Sequence, residues 1–138
     1  MRRTRQHGFT LVELILVVSI LGIITAIAVP TFLGQRKNAR VVGDAKANAK
    51  VMQMMLEDRR ADRGIYGPAG DYNWTNGDPV GTAATVLPAF TPKGSSKMNF
   101  VLHITNGGAA YTIEVSDPLY KSGATLFRTN QNGKDEEL

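Results

Sequence analysis

No cysteine occurs in the 138 residues. That excludes disulfides, thiolate metal sites, a catalytic thiol and an acylated lipoprotein cysteine together, and leaves the redox compartment open. Histidine is nearly as scarce, with His7 and His103 the only two. A serine–histidine–aspartate arrangement would have to draw on these, and His103 falls in an alternating apolar stretch where a solvent-facing strand position is the ordinary reading. Phosphate loops, zinc spacings and paired glycosidase-type carboxylates are missing as well, so we expect no enzyme. Charge of one sign is thin. Of the net +4, Arg2, Arg3 and Arg5 supply three charges in the first eight residues, which leaves 13 Lys and Arg against 12 Asp and Glu. A remainder this near neutrality does not make a basic groove, and no nucleic-acid partner is expected.

Charge is absent altogether from Leu14 to Gln35. At 1.5 Å rise per residue this apolar run spans about 33 Å as a helix, enough to cross a bilayer. The basic residues before it put the amino terminus in the cytoplasm and the rest outside by the positive-inside bias. Three readings compete: a secretory signal peptide with Ala26-Ile27-Ala28 as its cleavage site, a plain single-pass anchor, and an anchor whose leader is clipped at Gly8 to leave Phe9 first. Glu13 bears on the choice. An acid this early in an apolar run costs a few kcal/mol if it enters the membrane unpaired, so it needs a partner.

After Pro30 the pattern becomes amphipathic, with Val42, Ala45, Ala49, Met52 and Leu56 at spacings of three and four. Arg59, Arg60 and Arg63 then precede Gly64, which places cations at the negative end of a helix and a glycine at its cap. Phe9 to Arg63 is predicted as one helix of about 55 residues. Pro30 removes a backbone donor and predicts a kink or opened turn near Thr25 to Pro30; a functional hinge with Gly22 and a proline merely tolerated in a membrane helix both fit. Met52, Met54 and Met55 read as helix packing.

Residues 64–97 are rich in Gly, Pro, Asn, Asp and Thr without a sustained period, and are expected to form a long loop whose Tyr66, Tyr72, Trp74 and Phe90 pin it to the domain surface. The period then becomes two. Phe100, Leu102 and Ile104, a turn at Asn106-Gly107-Gly108, and Tyr111, Ile113 and Val115 predict a hairpin with one apolar face. Ala124 to Arg128 offers a third strand, so 98–128 is read as antiparallel strands and 129–138 as a polar tail. The fold class expected is α+β: a long amino-terminal helix whose amphipathic half covers a small antiparallel sheet.

The block Arg5-Gln6-His7-Gly8-Phe9-Thr10-Leu11-Val12-Glu13-Leu14, followed by the apolar run and Pro30, closely resembles the prepilin cleavage and methylation motif of type IV pilins and type II secretion pseudopilins, over roughly Arg5 to Leu33. The resemblance implies that a prepilin peptidase cuts after Gly8 and methylates the new amino group of Phe9. An inner-membrane assembly platform and its ATPase would then load the subunit into a helical filament. The chain would divide into a leader (1–8), a transmembrane and filament-core helix (9–35), an amphipathic half-helix (36–63) and a periplasmic globular region (64–138). Cleavage would create an ammonium in apolar surroundings, which is tolerable only beside a carboxylate. The resemblance assigns that pairing, between neighbouring subunits, to Glu13; the plainer alternative is an acid that favours the positive end of its own helix. The family fold agrees with the pattern-based reading, and beyond about residue 65 the likeness is architectural only.

A pseudopilin of a type II secretion system, assisting protein export, is therefore the first function expected, with a major or minor type IV pilus subunit second. From another class comes a membrane-tethered periplasmic binding module that uses the 64–97 loop. No cofactor is expected apart from calcium, which major secretion pseudopilins hold near their carboxy-terminal loops; Asn130, Asn132 and Asp135 are the oxygen donors it would find here, and a solvated polar tail is the competing account.

Overall fold

The computed structural model describes residues 8–94 and 97–138. The basic leader residues Arg2, Arg3, Arg5 and His7 lie outside the described residues. The chain divides into two compact units, the first ending at Asn38 and the second running from Ala39 to Leu138. One helix, α1 (Leu11–Arg63), passes through both.

In the first unit every described residue is exposed, and α1 shows large apolar side chains on all sides, among them Leu11, Ile15, Leu21, Ile27 and Phe32. The segment is long and apolar enough to cross a membrane. Its hydroxyls are satisfied inside the helix: Ser19 Oγ donates to the Ile15 carbonyl, Thr25 Oγ1 to those of Leu21 and Gly22, and Thr31 Oγ1 to those of Ile27 and Ala28. Such back-bonding lets polar side chains sit on a surface with no water to serve them. α1 continues through Pro30 without a break in its assignment. The missing proline N–H deprives the Ala26 carbonyl of its helical donor, and the Thr31 hydroxyl bonds the two carbonyls that follow.

In the second unit α1 buries Val41, Ala45, Asn48, Ala49, Met52 and Leu56. This is the amphipathic face read from sequence with one shift: Val41 is the buried valine and Val42 only half so. The small Ala45 and Ala49 bring the helix backbone close to the sheet. Met52 is fully buried and Met55 packs against the core, but Met54 is 73% exposed. The helix ends at Gly64, whose φ of 79° is the left-handed conformation a terminating glycine adopts, with its N–H bonded to the Arg60 carbonyl.

Six strands follow: β1 (Gly70–Thr75), β2 (Asp78–Val80), β3 (Asn99–Thr105), β4 (Ala110–Ser116), β5 (Thr125–Asn130) and β6 (Asp135–Glu137), with a one-turn helix α2 (Ala83–Val86) between β2 and β3. They form one antiparallel sheet in the order β2-β1-β3-β4-β5-β6. Alternation puts Tyr72, Trp74, Phe100, Leu102, Ile104, Tyr111, Ile113, Val115 and Phe127 into the core, and the register shift at Val115/Ser116 lets the adjacent Leu126 join them. Asp71, Asn73, His103, Glu114 and Arg128 are less buried or exposed. Asp71 and His103, paired across β1 and β3, meet at 2.7 Å.

Two expectations are corrected here. Residues 64–97 are no continuous loop, since they contain β1, β2 and α2, and Tyr66, Tyr72, Trp74 and Phe90 are core residues rather than surface pins. Phe90 stacks edge-to-face on both Trp74 and Phe100, a geometry that the ring quadrupoles favour. Residues 129–138 are no free tail, since β5 runs to Asn130 and β6 pairs with it. Both sheet edges resist further pairing: β2 carries Pro79 and β6 reads Asp-Glu-Glu.

Polar side chains of α1 tie the connections down. The Asn48 amide both donates to and accepts from the Lys93 backbone, at 2.7 and 2.8 Å. Gln53 donates to Thr129 Oγ1 and the Asn130 carbonyl, and Arg59 to the carbonyls at the end of α2. The β3–β4 turn is closed by Asn106, Gly107 and Gly108, all at positive φ. At Gly108 (φ 94°) an added Cβ would collide with the Gly67 carbonyl oxygen. Gly108→Ala is therefore expected to destabilise the second unit by on the order of 2–3 kcal/mol, read as a lower urea midpoint. Gly133→Ala meets no atom within 4 Å and, at φ 70°, carries only the conformational penalty.

Candidate functional site

The amino end of α1 is built by a local device. Thr10 precedes the first helical residue, and its Oγ1 accepts the Glu13 N–H at 3.2 Å. Glu13 returns the favour: its Oε2 accepts from the Thr10 N–H at 2.9 Å and from the Thr10 hydroxyl at 2.8 Å. This reciprocal arrangement is a capping box, which satisfies orphan donors at a helix start and sets a negative charge at the positive end of the helix dipole. The sequence carried its signature, Thr-x-x-Glu ahead of an apolar run, and Thr10 is the site residue that the reading from sequence missed. The Leu14 N–H bonds the Thr10 carbonyl at 3.2 Å and closes the first turn.

Glu13 is thus anchored, with its carboxylate one turn into the helix and directed back along the chain toward Thr10. Both bonds fall on Oε2; among the described residues nothing bonds Oε1. Gly8 and Phe9 precede the cap and are exposed, Phe9 to 84%. No atom lies within 4 Å of a Cβ placed on Gly8 or on Gly22. The structure therefore brings Thr10 and Glu13 together, directly after Phe9 in the chain, and leaves Gly22 and Pro30 further along the same helix. Chemically this end offers a carboxylate bonded to the peptide that joins Phe9 to Thr10, ahead of a helical stretch, Leu14 to Gln35, that carries no charge.

Of the residues named for calcium, Asn130 and Asp135 already take hydrogen bonds within the domain. Asn130 Oδ1 accepts the N–H groups of Asn132 and Lys134. Asp135 Oδ1 takes Lys50 Nζ at 2.8 Å and Thr129 Oγ1 at 2.6 Å. Among the described residues no three of His, Asp and Glu gather as metal ligands would. A cation at Asp135 would share its carboxylate with the Lys50 ammonium. The Asp135–Lys50 pair fastens β6 to α1, with Lys46 adding a longer ion pair to Glu137.

The Lys50 bond, followed by that from Thr129, holds the Asp135 carboxyl below its ordinary value. A folded-state value below the unfolded one means the pair stabilises above about pH 4 and fades as acid protonates the carboxylate. Lys50→Met is expected to cost less than about 1 kcal/mol near neutrality, since the pair is partly exposed. Its effect should shrink progressively below about pH 4. Urea titrations across that range check this; a mutational effect independent of pH would contradict it. On the same side of the sheet, burial pushes the Tyr111 hydroxyl far above its ordinary value, and burial likewise raises Tyr66. Both stay protonated and donate to Glu57 Oε1.

Residues 3–29 match the family described as the prokaryotic N-terminal methylation motif. The chain is 42% identical over 64 residues to the type II secretion system core protein G of Pseudomonas aeruginosa, covering 44% of this chain and 45% of that protein. It is 30% identical over 109 residues to fimbrial protein Q of Moraxella bovis, covering 77% and 62%. To a type IV major fimbrial protein of Dichelobacter nodosus it is 29% identical over 87 residues, covering 60% and 51%. The matched stretches span roughly half the length of these curated relatives. No solved structure matches the chain.

Proposed function

We propose that this chain is a structural subunit of a type IV pilin-like filament, and more narrowly a pseudopilin of a type II secretion system that assists protein export. The observation that carries the reading is the carboxylate of Glu13, held at the amino end of a helix whose apolar side chains from Leu11 to Leu33 no described residue buries. An apolar surface of this extent needs either lipid or protein around it. In the bilayer it faces lipid, and in a filament it faces the same helix of other copies, so transfer changes apolar exposure little. Charge pairing then selects the assembled state. Cleavage after Gly8 frees an ammonium on Phe9, which becomes methylated, and Glu13 of a neighbouring copy neutralises it while Oε2 keeps its own cap.

In this reading a prepilin peptidase processes the chain, and an inner-membrane platform with its ATPase supplies the work of extraction. Before assembly the subunit is a single-pass inner-membrane protein with its amino terminus in the cytoplasm and its sheet domain in the periplasm. Pro30 and Gly22 act as the hinge that lets α1 bend between the two environments. The role is structural and requires no catalytic group.

A type IV pilus subunit is the second reading, favoured by one fact: the similarity to fimbrial protein Q runs across 77% of this chain, against 44% for core protein G. Deleting the gene separates the two. Loss of export-dependent proteins from the medium, with surface fibres intact, is the pseudopilin result. Loss of surface fibres with export intact favours the pilus subunit instead.

A further inference from the structure

Between Glu13 and Asp44 the chain carries no acid, and its only charges there are Arg36, Lys37 and Arg40. All three follow closely on the uncharged run, and all three are exposed. Further along the chain, Lys46 pairs with Glu137, Lys50 with Asp135, Arg128 with Glu114 and Glu136, and Lys134 with Glu136. Among the described residues no acid comes within ion-pair distance of Arg36, Lys37 or Arg40.

Their place along α1 is narrow. The uncharged run spans about 33 Å, against the roughly 30 Å of bilayer hydrocarbon, and Val41 is the first residue of the helix that is buried. Between those limits Arg36 to Arg40 rises about 6 Å. A headgroup layer is on the order of 5–7 Å deep on each side of the membrane. The three cations therefore fall in that layer, past the acyl chains and ahead of the buried face of α1.

Arg36 and Arg40 are four residues apart and Lys37 and Arg40 three, so all three project from neighbouring positions on the helix. Like charges at those spacings disfavour the helix they stand on. Cations beyond the span also oppose the orientation that Arg2, Arg3 and Arg5 set before it. Both costs are relieved by an anion at this level, and the chain offers none of its own there.

We propose that Arg36, Lys37 and Arg40 form a site for the phosphate groups of anionic phospholipids, in the leaflet on the far side from the leader. The guanidinium groups grip phosphate oxygens in pairs, and the ammonium serves as a point charge. The site fixes how deep the apolar helix sits and holds the subunit in the bilayer until a filament takes it up. This inference rests on the membrane placement proposed for the unassembled subunit.

The test reconstitutes the full-length chain in phosphatidylcholine vesicles containing a small share of spin-labelled lipid, either phosphatidylglycerol or phosphatidylcholine. Electron paramagnetic resonance then reads the fraction of each label that the protein restrains. The expected result is a preference for phosphatidylglycerol of roughly fivefold or more, weakened by high salt. Because the leader arginines would meet the other leaflet, the measurement is repeated with Arg2→Gln, Arg3→Gln and Arg5→Gln combined. The preference should survive that change and disappear when Arg36→Gln, Lys37→Gln and Arg40→Gln are combined. Arg36→Lys with Arg40→Lys, which keeps the charge, should retain most of it. Equal restraint of the two lipids, or a preference that goes with the leader arginines, overturns the site and leaves the membrane placement standing. Cross-linking of the three positions to acids of a second copy, without lipid preference, also overturns it. A chain that does not float with the vesicles overturns both.

Discussion

Glu13→Ala is expected to leave the chain in the membrane at normal levels and to lower filament yield by roughly a hundredfold or more. The magnitude follows from the cost of leaving one member of a buried charge pair alone, about 3–5 kcal/mol. The residual amine at Phe9 would then sit among apolar side chains without a counter-charge. Because Glu13 also belongs to the cap on its own helix, a control is needed that removes the cap and keeps the carboxylate. Thr10→Ala does so. It should cost about 1 kcal/mol of helix stability and reduce assembly by at least tenfold less than Glu13→Ala. Equal losses in the two variants would mean that Glu13 acts only on its own helix. Quantitative fractionation of sheared filaments against membranes reads both.

Phe100→Ala is expected to unfold the second unit. Phe100 lies in β3, fully buried, with Phe90 edge-on to its ring and Val115 opposite on β4. Emptying such a site costs about 3–5 kcal/mol, a large part of the 5–15 kcal/mol that holds a domain together. The apparent melting temperature should fall by on the order of 15 °C or more. The change should be seen in near-ultraviolet circular dichroism of the detergent-solubilised chain, which follows Trp74 and its neighbours. Much of the far-ultraviolet helix signal should survive, because the first unit owes its helicity to apolar surroundings and not to the sheet. Val101→Ala, one residue along β3 on the other face, should cost under about 1 kcal/mol.

The sequence made the helix and the central hairpin legible because each obeys one period over a long stretch. Ala45, Ala49, Met52 and Leu56 repeat at helical spacing, and Phe100 to Ile104 and Tyr111 to Val115 alternate on either side of a glycine turn. What escaped was structure whose side chains do not advertise it. In β1 only Tyr72 and Trp74 alternate, between Gly70, Asp71 and Asn73, residues that propensity assigns to turns; pairing with β3 overrides them. The edge strands β2 and β6 read as loop and tail because protecting an edge requires proline and charge there. Val41 and Val42 are hard to tell apart from pattern, because neighbouring residues differ by less than a third of a turn and both stand at the margin of the buried face.

At the amino end the position of Glu13 was plain, since an acid stands out at the head of an apolar run. Its bond to Thr10 was not, because a Thr-x-x-Glu spacing becomes a capping box only where the side chains reach the backbone N–H groups, which the sequence alone does not show. The two roles are compatible: the cap holds Oε2 and orients the group, while Oε1 stays open to a second donor.

The central claim is that the chain acquires a new amino terminus four residues before Glu13. Intact mass and amino-terminal sequencing of the protein recovered from membranes and filaments test it in one step. A mature chain beginning at N-methylated Phe9, with residues 1–8 gone, is the result expected; a chain beginning at Val29, or one that keeps its leader in filaments, would contradict the account.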